Sequence, residues 1–136
     1  MAGEKTYLLN LSLLGDAEVS FPPEGDSLRA SGRLPQDLEL FRDHFPGFPV
    51  LPGVLGLEIL KRCVDRFYDA ADKKEGSFSF SEVSMAKFSS FLRPGDTWEP
   101  AAGVFRQEES ETLWKGTLVH AGRVAVSAQL KYRTAV

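Results

Sequence analysis

The spacing of apolar residues changes character three times along the chain. Near the start, Tyr7, Leu9, Leu11 and Leu13 alternate with polar Asn10 and Ser12. A period of two suits a strand. The Gly15-Asp16 stop suits a short helix equally, so residues 7–14 keep both assignments. Residues 17–21 and 27–34 flank a Pro-Pro-Glu-Gly-Asp turn and predict a β-hairpin.

A proline-paced loop comes next. Pro46, Pro49 and Pro52 each fix their own φ and push the preceding residue out of the helical region. Phe45, Phe48 and Leu51 are therefore expected to be extended. Gly47 and Gly53 supply freedom where the backbone must turn or come close to something. After Pro52 an apolar run begins at once, with Val54, Leu55, Leu57, Ile59 and Leu60. A proline just ahead of such a run marks a helix start. The pattern predicts a helix over 53–71, roughly 28 Å long at about 1.5 Å per residue. In its second half Leu60, Val64, Phe67 and Ala71 share one face, with Lys61, Arg62, Asp65, Arg66 and Asp69 opposite. Its first half is apolar nearly all round, which predicts burial on more than one side, with its own sheet and a second subunit as candidates to supply it.

From residue 77 the helical spacing fades. Strands are predicted over 78–92, 97–107, 112–120 and 124–132, joined by short turns that include Arg93-Pro94-Gly95-Asp96. One long helix followed by consecutive strands predicts an α+β fold, with an antiparallel sheet wrapped around the helix.

Composition narrows the classes. The chain has 136 residues, which suits one domain over 1–136. With 43% hydrophobic and 26% charged residues it is globular rather than disordered. A net charge of −3 argues against a nucleic-acid partner. Cys63 is the only cysteine, which excludes an intrachain disulfide and a Cys-rich metal site and fits a reducing compartment. The first residues are too few and too polar for a membrane helix or signal peptide, so a cytoplasmic, soluble protein without a membrane partner is expected. No nucleotide-binding glycine loop or metal-ligand cluster stands out.

Two chemical groups flank the rigid loop, His44 and Glu58. On a helical wheel Glu58 falls with Lys61, Arg62 and Asp65, so periodicity alone favours a surface pair with Arg62 at i,i+4. His120 sits in a predicted turn and reads as a solvated histidine. Cys63 lies on the apolar face and reads as core.

His44-Phe45-Pro46-Gly47, then Pro49, Pro52-Gly53-Val54-Leu55 and Glu58, resemble the active-site segment of the 3-hydroxyacyl-acyl-carrier-protein dehydratases of hotdog fold. The interval from His44 to Glu58 matches the family's histidine-to-acid interval. Ala86-Lys87-Phe88 with Pro94-Gly95-Asp96 is similar to the family's tunnel-lining strand. The resemblance implies dehydration of a 3-hydroxyacyl thioester, on an acyl carrier protein or coenzyme A, to a trans-2-enoyl thioester in fatty-acid or polyketide-type biosynthesis, with no cofactor and no metal. It implies a homodimer in which His44 of one chain faces Glu58 of the other. His44 would take the C2 proton, and Glu58 would protonate or orient the departing hydroxyl. Pro52 has no N–H, so Gly53 and Val54 are the candidates to hold the thioester oxygen. Phe45, Phe88 and Phe91 would line the acyl tunnel. An acid useful near neutral pH needs its pKa raised by about 2–3 units, which burial can supply. Two rivals keep the fold. A hotdog thioesterase would activate water near Glu58 without needing His44. A non-catalytic carrier-binding subunit is encouraged by the charge of Asp43 beside the base.

Overall fold

The computed structural model describes residues 4–22, 25–36, 50–70 and 78–134. The strands are β1 (Lys5–Asn10), β2 (Asp16–Phe21), β3 (Ser27–Arg33), β4 (Phe78–Phe88), β5 (Thr97–Gln107), β6 (Glu111–His120) and β7 (Arg123–Thr134). They form one antiparallel sheet in the order β1-β2-β3-β5-β6-β7-β4. The helix α1 (Gly53–Ala70) touches every strand of it. The α+β architecture, with its sheet curved about one helix, is the one the apolar pattern predicts.

Period-two patterning explains the sheet's inner face. Ala17, Val19 and Phe21 of β2, Trp98 and Ala102 of β5, and Trp114 and Leu118 of β6 are all buried. They meet Ile59, Leu60, Cys63, Val64 and Phe67 of α1. Phe67 sits edge-on to Phe21, Tyr68 and Trp114, at centroid distances of 4.9, 5.5 and 5.0 Å. Fully burying one such ring stabilises by about 1.5–3 kcal/mol. Gly32 is fixed by packing, because a Cβ there would stand 2.3 Å from the Trp98 ring. Pro100 is tolerated inside β5 because the β3–β5 ladder skips the positions opposite it, passing from the Arg29–Ala101 pair to the Gly32–Trp98 pair.

Both assignments kept open for residues 7–14 are realised in succession. β1 ends at Asn10, and a single 3-10 turn follows over Ser12–Leu14. The Asn10 side chain accepts the Ser12 N–H at 2.7 Å, and Leu11 N–H bonds the Gly15 carbonyl at 2.9 Å. Side-chain capping of this kind diverts a strand into a turn. The strand predicted to reach Leu92 stops at Phe88. Beyond it Ser89 N–H bonds the Ala125 carbonyl and Leu51 N–H takes the Leu92 carbonyl, at 2.8 and 2.7 Å. Those contacts draw the chain back towards the start of α1, leaving Phe91 in the connection rather than on a strand. Among the described residues no helix is long and apolar enough to cross a membrane.

Candidate active site

The helix start is assembled by two contacts. Leu51 is zipped to Leu92, and Leu55 N–H closes on the Pro52 carbonyl at 3.0 Å. Gly53 and Val54 are the first two residues of α1. Amides at that position lack a partner within the helix and sit at its positive end. A Cβ on Gly53 would lie 2.4 Å from Cδ1 of Phe88. The Phe88 ring therefore rests against the helix start, and only glycine admits it. Gly53, Val54 and Phe88, three predicted site residues, come together here.

Glu58 stands farther along α1. It borders a cavity of about 300 Å³ with Val54, Leu57, Lys61, Phe80, Val83 and Leu130. Val54 thus joins the helix start to the acid. The Glu58 side chain is 45% exposed in the single chain, so the burial expected for it is not supplied by this chain's described residues. Arg62 does stand at i,i+4, with Nη1 at 4.0 Å from Oε1. That is an electrostatic contact, too long for a hydrogen bond. Lys61 is drawn away: its Nζ lies 2.9 Å from Asp65 and 5.7 Å from the Phe80 ring centroid. The helix start is covered on one side only. Val54 is 65% exposed and Leu55 and Leu57 are half-buried, so the second covering surface expected from the sequence is not furnished by the described residues.

His44 and Phe45 lie outside the described residues. Phe91 borders a separate cleft of about 550 Å³ with Val50, Ser90, Arg93, Asp96, His120 and Arg123. It is not brought to Glu58. Phe80 and Val83 do reach the acid, and sequence reasoning did not single them out. Their signal was available: β4 follows α1 directly and carries an aromatic at its third residue. His120 also departs from the solvated reading. Its Nδ1 lies 2.6 Å from the Thr97 carbonyl and its Nε2 3.5 Å from Asp96 Oδ2. The carbonyl only accepts, so Nδ1 carries the proton of that bond. Cys63 is core, as expected. Burial pushes its thiol up to about 12, Arg62 opposing and Asp65 reinforcing the shift. Such a thiol is a poor nucleophile. Burial, then Asp65, also raises Tyr132, whose hydroxyl donates to Asp65 Oδ1 at 2.7 Å and so pins α1 to β7.

An antiparallel sheet folded about one central helix defines the hotdog class. Solved structures agree. The sheet and helix superpose on a thioesterase from Haemophilus influenzae with a TM-score of 0.66 at 14% identity, covering 88% of this chain and 78% of that one. They match a structure described as the dehydratase heterocomplex ApeI:P from Xenorhabdus doucetiae with a TM-score of 0.59 at 24% identity, covering 82% and 90%. Within that class the assignment is narrower. The ApeI-like family model, described as ApeI dehydratase, matches residues 21–128. A 3-hydroxyacyl-[acyl-carrier-protein] dehydratase FabZ of Haemophilus influenzae is 32% identical over 120 residues, spanning 87% of this chain and 80% of its own. The chain belongs to the ApeI-like dehydratase family.

Proposed function

We propose that this chain dehydrates 3-hydroxyacyl thioesters to trans-2-enoyl thioesters, with His44 and Glu58 as its acid–base pair. The observation that carries the reading is Glu58. It is a carboxylate beside an apolar cavity, on the same helix as the first-turn amides of Gly53 and Val54, in a chain of dehydratase lineage. In the elimination the imidazole of His44 takes the C2 proton and the electron pair forms the C2–C3 double bond. The C3–O bond breaks and Glu58 donates the proton that turns the leaving hydroxide into water. Charge builds on the thioester oxygen meanwhile, and the N–H groups of Gly53 and Val54 are oriented to hold it. Phe88, packed against Gly53, would guide the acyl chain and Phe45 would extend the passage, while Phe91, in its separate cleft, would lie off it.

The same reading takes residues 1–136 as one domain, a second copy as the partner and an acyl-carrier-protein thioester as the natural substrate, with coenzyme A thioesters as shorter analogues. Half-exposed Glu58 and uncovered Val54 support a shared site, since a partner bringing its His44 loop would enclose both. A cytoplasmic setting suits the buried, reduced Cys63.

The test offers purified protein a 3-hydroxyacyl and an enoyl thioester and follows both hydration and free thiol. Glu58→Gln and His44→Ala are each expected to lower reversible hydration by about 10²–10⁴-fold, the usual worth of a positioned proton donor or acceptor. Thiol release that survives His44→Ala would replace the reading with thioester hydrolysis. Silence with retained carrier binding would replace it with a non-catalytic subunit.

A further inference from the structure

Arg62 makes two contacts that lead in different directions. Its Nη2 donates to the carbonyl of Asn10 at 2.8 Å, and its Nη1 faces Glu58 Oε1 at 4.0 Å. Asn10 is itself held, because it ends β1 and its side chain caps the 3-10 turn. The guanidinium is therefore fixed at one end by backbone 52 residues away in sequence. A planar fork fixed at one nitrogen has little freedom at the other. The acid precedes the base by four residues, the favourable order on a helix. Glu58 has no other ion pair among the described residues, and Lys61 is engaged by Asp65.

We infer that Arg62 is a positioning residue for Glu58, transmitting the place of the β1 turn to the carboxylate through one guanidinium. This rests on the proposed role of Glu58. The spacing matters. At 4.0 Å the cation steers the carboxylate without occupying a lone pair, so both oxygens stay available to substrate. The sequence showed the i,i+4 pair but not the Asn10 anchor, which turns a surface pair into a strut.

Arg66 provides the control. It docks on the same strand, with Nε donating to the Leu8 carbonyl at 2.9 Å, but the residue four positions before it is Arg62, not an acid. Arg62→Gln is expected to lower kcat about tenfold with KM within about twofold, whereas Arg66→Gln changes neither by more than about twofold. In a Glu58→Asp background, where the carboxylate is withdrawn by one methylene, Arg62→Gln is expected to cost less than about threefold. Equal losses from the two arginine variants, or an undiminished loss in the Glu58→Asp background, would overturn the inference and leave Arg62 a strand anchor. A readout free of turnover accompanies the assay. The side-chain carboxyl 13C resonance of Glu58, assigned with Glu58→Gln, is expected to move in Arg62→Gln and to stay in Arg66→Gln. If it moves while the wild-type protein turns over no substrate, the catalytic reading fails and the positioning contact stands. If it does not move, the contact fails whatever the turnover.

Discussion

The two edges of the sheet are finished in opposite ways. At one edge β1 runs only six residues before the 3-10 turn. Two of its carbonyls, Leu8 and Asn10, are taken by Arg66 and Arg62 of α1. At the other edge β4 runs eleven residues. Among the described residues no side chain bonds its backbone. It exposes Phe80, Val83, Met85 and Phe88, and its register with β7 shifts twice, with Met85 at φ 53°. An open apolar edge is a template for another chain, and charge or cover is how proteins close one. Among the described residues the first edge is closed by the chain's own helix and the second is left open. Glu58 sits between them, tied through Arg62 to the closed edge and facing Phe80 and Val83 at the open one. On the proposed reading a second copy would belong against β4, where it would also complete the acid's surroundings.

The comparison breaks most visibly if the open edge is charged. Phe80→Lys with Val83→Lys is expected to turn a dimer into a monomer in sedimentation velocity and to lower turnover on the order of 100-fold, the scale on which misplaced catalytic groups act. Leu8→Lys at the clamped edge is the matched control and alters neither. A charged β4 edge that stays dimeric and active would place the partner elsewhere. A smaller effect is expected from unclamping. Arg66→Ala removes one charge-assisted bond to a carbonyl and is expected to cost about 1 kcal/mol in urea unfolding. Hydrogen exchange should then quicken in β1 and stay unchanged in β4; equal quickening at both edges would show that the clamp is not local.

A further effect, comparable in size, concerns the helix that both edges share. The Cys63 thiol is raised from 9.0 to about 12, so the folded chain holds that proton more tightly than the unfolded chain does. Its contribution is whole below pH 9 and is lost as pH rises towards 12. By pH 10 the loss is about 1 kcal/mol. Comparing urea midpoints at pH 8 and pH 10 in wild-type and Cys63→Ala protein isolates it, and an equal alkaline drop in both would refute the assignment.

Much of this was legible in the residues. Pro52 and Gly53 fixed where α1 begins, because proline and glycine act on the backbone locally. The strands from 97 onward were readable because one face is buried and the other is not. Where both faces are exposed the signal weakened, and β4 was predicted four residues too long. The carbonyl partners of Arg62, Arg66 and His120 could not be read, because each is distant in sequence and any residue supplies one. Glu58 was ambiguous for a physical reason: it belongs to the polar face of its own helix and to an apolar cavity at once. His44, expected to face it from a second copy, and Phe45, expected to line the tunnel, fall outside the described part of the chain.

The contact between Gly53 and Phe88 gears two properties together. In the proposed site, trimming that ring to widen the acyl passage would open a gap beside Gly53 at the start of α1, and water entering it would compete for the N–H groups proposed to hold the thioester oxygen. Enlarging residue 53 would push the ring aside and block the same donors. If those roles hold, bore and polarising power are coupled, and a change of chain-length preference made at Phe88 would carry a rate penalty unless a second substitution resealed the helix start.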